Sequence, residues 1–202
     1  GCPVHTCYPL AKILWLRKHL PERFAQMHYV GSLKDYLFEK LTGVFAIDHS
    51  AASTSGLYNE ADMDWDAEIL SYAGITRDML PPIVSGTHAE SLTAEAAEAT
   101  GLPAGLPVVI GATDGVLVNV GIGAVEPGQL SATIGTSGAL RMLTNRPMTD
   151  PKGRTWCYNL VDDIWVAGGA INNGGMILRW VRDRICHYTK AHLENLDVDG
   201  YD

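Results

Sequence analysis

The feature that most constrains this chain is a change of rhythm at Pro107. Upstream, apolar residues recur at helical spacing in short segments. Downstream, Val108-Val109-Ile110 is an unbroken β-branched run between Pro107 and Gly111, the pattern expected of a buried strand in a covered sheet. Further strands are expected at residues 129–134, 139–143, 156–161 and 165–167, separated by Gly-rich or polar turns. Helical spacing returns at 172–186, where Met176, Ile177, Trp180 and Val181 share an apolar face. A helix-rich first half and a strand-rich third quarter predict an α/β chain with a domain junction near residues 112–125.

The upstream segments have their own punctuation. Leu10, Ile13, Leu14 and Leu16 predict a helix over 9–19, with Pro9 suited to its first turn and Pro21 marking its stop. A second helix is expected over 32–41, with Leu33, Tyr36, Leu37 and Leu41 on one face and Gly43 as its C-terminal glycine. Residues 48–59, rich in Ser, Ala and Gly, read as loop. A short helix follows over 65–73 with Asp64 or Asp66 near its start, and Pro81-Pro82 bars its continuation. Thr93 then caps an Ala/Glu-rich helix that ends at Gly101.

Composition narrows the function classes. The 202 residues carry 15 Lys and Arg against 23 Asp and Glu, for a net charge of -8, and 47% are hydrophobic. That is an ordinary globular chain of one or two domains at about 100–200 residues each. Scattered basic residues on an acidic chain argue against nucleic acid as a partner. The apolar stretches fall short of the roughly 20 residues of a membrane-spanning helix, so no membrane is expected. Cys2, Cys7, Cys157 and Cys186 lack paired CxxC spacing and predict free thiols in a reducing cytoplasm. The chain opens on Gly1 rather than Met, which suggests a missing upstream part.

Three places could carry chemistry. Asp114, in Gly111-Ala112-Thr113-Asp114-Gly115, stands between a strand's carboxyl end and a helix start, an edge where ligands collect. The helix N–H groups there would favour a carboxylate able to accept a proton from a substrate hydroxyl; the plainer alternative is an N-cap. In Ile134-Gly135-Thr136-Ser137-Gly138, successive N–H groups and a hydroxyl could face a phosphate, or the loop could be a simple hairpin turn. Gly168-Gly169-Ala170 and Asn172-Asn173-Gly174-Gly175 allow close approach by a nucleotide at a helix N-terminus, or else tight packing of helix on sheet.

Other chemistries lack their patterns. The seven histidines show neither HExxH spacing nor cysteine partners, so no metal site is expected. Ser137 sits outside any GxSxG elbow. Asp62, Asp64 and Asp66 lack the glycine and terminal glutamate of an EF-hand, and read as a solvated acidic helix start.

Together these stretches resemble the FGGY family of carbohydrate kinases, of the actin-like ATPase superfamily. Pro9-Leu10-Ala11-Lys12-Ile13-Leu14-Trp15-Leu16 is similar to the family's first signature. Leu41-Thr42-Gly43 with residues 48–53 and Trp65 resembles its LTG…D…AS…W pattern. Gly101-Leu102-Pro103 through Asp114 resembles its TGL…G.PV..G..D run, and Ile134-Gly135-Thr136-Ser137 its second phosphate loop. The opening Gly1-Cys2-Pro3 with His5, running into residues 9–16, the 134–141 loop and residues 168–175 look most like the gluconokinase branch.

The resemblance implies an actin-like (ribonuclease H-like) α/β fold in two domains, with 1–121 the latter part of a sugar-binding domain and 122–202 the start of a nucleotide-binding one. It implies ATP-dependent phosphorylation of a sugar or sugar acid, gluconate first, in the cytoplasm. Asp114 becomes the base, and Gly135, Thr136 and Ser137 bind phosphate. Gly174 and Gly175 approach the nucleotide, Cys7, Asp114 and Gly115 face the substrate, and Mg²⁺ bridges the phosphates. ATP and the sugar acid are the expected partners, and a homodimer is left open. Cys7 departs from the signature's usual aromatic, Met, Gly or Ser, and the Asp-x-Gly-Thr turn and late adenosine-binding motif of full kinases are absent from these residues. The chain alone is therefore expected to be an inactive fragment. The rival expectation is a non-catalytic binding or assembly module derived from such a kinase.

Overall fold

A computed structural model describes residues 2, 3 and 5–185; residue 186 and the expected end of the last helix lie outside them. The order opens with α1 (Pro9–His19), α2 (Pro21–Ala25), α3 (Leu33–Thr42), β1 (Ile47–Asp48) and α4 (His49–Ser53). It continues with β2 (Tyr58–Asn59), β3 (Asp64–Trp65), α5 (Ala67–Ala73), β4 (Ile83–Val84), β5 (Ala89–Ser91), α6 (Ala94–Thr100), β6 (Pro107–Val109) and α7 (Asp114–Gly121). It closes with β7 (Leu130–Ile134), β8 (Gly138–Thr144), β9 (Trp156–Val161), β10 (Ile164–Ile171) and α8 (Gly175–Arg184).

Local chemistry explains most helix limits. Pro9 occupies the first turn of α1, which stops at His19 ahead of Pro21, both as expected, and Pro21 in turn starts the separate short helix α2. Ser32 and Asp35 form a capping box on α3, and Gly43 ends it at φ 77°. Asp66 caps α5, which begins at Ala67 because Trp65 belongs to β3. Thr93 caps α6 and Gly101 closes it. Asp64 pairs with Arg77 and Asp62 accepts from the Asn59 side chain, so the three aspartates serve local structure.

Four expectations are corrected. Residues 48–59 are not all loop: Asp48 accepts N–H bonds from Ser50 and Ala51, which starts α4, and residues 50–53 are buried. Small side chains let that helix lie close against β9. The α3 face is inverted, with Leu33 74% and Leu37 52% exposed while Asp35, Phe38 and Thr42 turn inward. The capping box holds Asp35 at the buried side, and Phe38 enters a cluster with Ala46 and Ile110. Among the described residues the β-branched run at β6 pairs only with β5 and leaves Val109 57% exposed, so it belongs to a two-stranded ribbon and not to a covered sheet. Finally, α8 starts at Gly175, after β10 has extended to Ile171, and its Met176, Ile177 and Trp180 are exposed.

The main core gathers Ile13, Ile47, Leu57, Trp65, Leu70, Ile75 and Leu80. The later strands form one antiparallel sheet in the order β7-β8-β10-β9. Helix α7 rests on it through Val116, clustered with Leu143, Leu160 and Val166, and through buried Asn119, whose Oδ1 accepts from Ser131 Oγ at 2.8 Å. Among the described residues, upstream elements join this sheet at two polar side-chain contacts. Tyr8 and Tyr158 share a hydroxyl hydrogen bond of 2.6 Å, and Trp165 Nε1 donates to Glu60 Oε2 at 3.1 Å. Among the described residues no helix is long and apolar enough to cross a membrane.

Candidate active site

Asp114 is the first residue of α7, and Thr113, not Asp114, is the N-cap residue. The carboxylate is exposed and Oδ1 accepts the Gly115 N–H at 2.7 Å. A Cβ at Gly115 would meet nothing within 4 Å, so the space beside the carboxylate is open. The loop that presents Asp114 is held from several sides. Gly111 turns at φ 68°, a conformation suited to glycine, and its N–H donates to Gly86 O at 3.0 Å. Thr113 N–H donates to the buried Ser50 Oγ at 2.8 Å.

The second group forms around the β7–β8 turn. Ile134 pairs with Gly138, so the Gly135-Thr136-Ser137 loop is a hairpin turn, closed by Gly135 N–H donating to Ser137 O at 2.8 Å. The start of α8 docks on it: Gly174 N–H donates to Thr136 O at 2.9 Å and Gly175 N–H to Gly135 O at 2.6 Å. A Cβ at Gly174 would lie 2.5 Å from Ser137 O, and one at Gly175 2.9 Å from Gly135 O. These glycines serve close packing of helix on turn, and their N–H groups are already engaged. Among the described residues no acceptor pairs with the Thr136 or Ser137 N–H. Those two groups and both hydroxyls are the donors an anion would find.

Beside this turn lies a cleft of about 560 Å³ lined by Gly135, Thr136, Gly175, Met176, Arg179 and Trp180, among others. It combines free N–H donors, a guanidinium and an indole face, chemistry suited to a phosphate joined to a flat ring. Arg179 was not singled out from the sequence, and Trp180 was read there only as part of an apolar helix face. Their spacing of three and four from Met176 was the available signal, since it stacks them on one helix face.

The structure brings Gly135, Thr136, Ser137, Gly174 and Gly175 together. Among the described residues no hydrogen bond or ion pair joins Asp114 or Cys7 to them. Val116, two residues beyond Asp114, clusters with Leu143, five residues along β8 from Gly138 or about 17 Å of strand at 3.4 Å per residue. Cys7 lies in the exposed turn before α1, where its N–H donates to His5 Nδ1 at 3.1 Å. Cys2, Cys7 and Cys157 are free thiols, and burial pushes the Cys2 thiol up to about 11. Among the described residues no three His, Cys, Asp or Glu side chains group as for a metal ion.

Comparison with known proteins adds an independent line. The model of the FGGY family of carbohydrate kinases, N-terminal domain, matches residues 1–121. The chain is 41% identical over 203 residues to the gluconokinase of Bacillus subtilis (strain 168), covering 100% of this chain and 40% of that protein. It is 34% identical over 194 residues to the autoinducer-2 kinase of Yersinia enterocolitica serotype O:8, covering 95% of this chain and 37% of that one. The crystal structure of gluconate kinase from Lactobacillus acidophilus superposes with a TM-score of 0.89 at 29% identity, over 97% of this chain and 40% of that one. The chain thus spans about 40% of the length of the gluconokinases it matches.

Proposed function

The chain belongs to the FGGY family of carbohydrate kinases and carries part of its actin-like ATPase fold; from that premise we propose that the intact protein transfers the γ-phosphoryl group of ATP to a hydroxyl of gluconate. The observation that carries this reading is the exposed carboxylate at the first turn of α7, on a loop fixed by buried hydrogen bonds. Asp114 takes the proton of the attacking hydroxyl. The Thr136 and Ser137 N–H groups hold a phosphate, and Gly135, Gly174 and Gly175 shape that turn. Cys7 and Gly115 are assigned to the substrate side, residues 1–121 to the sugar-binding domain and 122–202 to the nucleotide-binding one.

Catalysis here is positioning and charge stabilisation. Asp114 and the hairpin turn are both fixed to the β7–β10 sheet, Asp114 through the packing of Val116 and Asn119 on it, so closure acts through the rest of the intact protein, bringing acceptor and phosphate donor together between them and excluding water. Mg²⁺ commonly keeps several waters and binds through phosphates and one or two carboxylates; Asp183, which lines the cleft beside the turn and accepts from Arg182 Nε at 2.7 Å, is the carboxylate that would face it there, and the ion would offset phosphate charge. Gluconate is preferred because of the gluconokinase likeness, and a cytoplasmic location agrees with the free thiols. The chain by itself, holding about 40% of its relatives' length, is expected not to turn over.

The test is a coupled ATPase-linked assay on the intact protein expressed from its whole reading frame, with gluconate, xylulose and glycerol as acceptors. Phosphorylation of gluconate with the highest kcat/KM is expected. ATP consumption that no sugar or sugar acid stimulates would overturn the reading and favour a non-catalytic module.

A further inference from the structure

The Asp114 carboxylate has the adjacent Gly115 N–H as its hydrogen-bond partner, so its aim is set by the backbone of residues 111–113. Three side chains from three other elements, α3, β1 and α4, hold that backbone. Ser50 Oγ accepts the Thr113 N–H at 2.8 Å and donates its own proton to Asp48 Oδ1, a consistent use of one hydroxyl's donor and acceptor capacity. Asp48 is fully buried and also accepts from Ser50 N at 2.9 Å and Ala51 N at 3.1 Å. Its remaining oxygen, Oδ2, accepts from the Lys34 ammonium. Lys34 Nζ reaches on to Gly111 O at 3.3 Å.

The path therefore closes on itself. Lys34 on α3 binds one end of the 111–113 loop directly and the other end through Asp48 and Ser50. A buried carboxylate is costly unless paired, and α4 already has its cap in the Asp48 N–H bonds. The additional use made of Asp48 is to orient Ser50 and Lys34, both of which act on the loop before Asp114. We propose that Lys34, Asp48 and Ser50 are positioning residues that fix the direction of the Asp114 carboxylate, a proposal that rests on Asp114 being the base.

Misplacing a catalytic group by about 1 Å can cost 10²-fold. In the intact protein, Ser50→Ala and Lys34→Met are each expected to lower kcat with gluconate by about 10- to 100-fold while the KM for ATP stays within about twofold; Lys34→Arg, which keeps the cation, restores most of the loss. The deciding comparison repeats Ser50→Ala in an Asp114→Asn background. Residues that act through Asp114 lose their effect once it is gone, so the added loss should shrink to less than about twofold. An equal fold-loss in both backgrounds, or parental kcat in folded Ser50→Ala, overturns the proposal. Ser50→Ala leaves the Lys34–Asp48 pair intact and therefore decides the matter if Lys34→Met does not fold. Asp114→Asn alone at near-parental rate would remove the base itself, a separate result.

Discussion

A carboxylate buried without a full set of donors favours its protonated form, and Glu60 meets that condition. It is 5% exposed, Oε2 receives the Trp165 indole N–H, and Oε1 is buried with no hydrogen-bond partner among the described residues. Burial raises its pKa from 4.5 to about 7. A carboxyl raised by folding contributes stability that is present below the unfolded value and lost as pH rises through the folded one. The unfolding free energy should therefore fall between pH 4.5 and about 7, by a few kcal/mol at most. Glu60→Gln should flatten that fall and be the more stable form at pH 8, as read by urea unfolding at several pH values. Parallel curves for the two proteins would contradict it.

At the scale of elements, α3 gives a direct test of which face is structural. Phe38→Ala should cost about 3–5 kcal/mol, whereas Leu37→Gln should stay within about 0.5 kcal/mol, both measured by thermal unfolding. The same helix shows what the sequence could and could not disclose. Its ends were readable because Ser32, Asp35 and Gly43 act on their own neighbourhood. Its buried face was not, since Leu33, Tyr36 and Leu37 have the right spacing but Phe38 and Asp35 have the partners. The α4 helix was hidden by its Ser and Ala composition, although Asp48 just ahead of it was a cap signal. Around the site, strand, loop and helix were legible at Asp114, because Pro107, Gly111 and the apolar run on α7 are local cues. Lys34 and Ser50 were not, lying 77 and 63 residues from their loop partners.

At the scale of the whole molecule, an exposed carboxylate stands on one element and a turn with unpartnered N–H groups on another, with upstream segments tied to the sheet by Tyr8, Tyr158, Glu60 and Trp165. Such a division suits phosphoryl transfer, in which acceptor and donor are held separately and brought together on closure. Gly174 and Gly175, with their own N–H groups engaged, keep α8 packed against the turn that carries the unpartnered donors. The most direct measurement is the kcat for gluconate of the intact protein and of its Asp114→Asn variant at saturating ATP. Loss of the base should lower kcat by about 10²–10⁴-fold with little change in the KM for ATP. A variant that keeps more than roughly a few per cent of the parental rate would take Asp114 out of the chemistry.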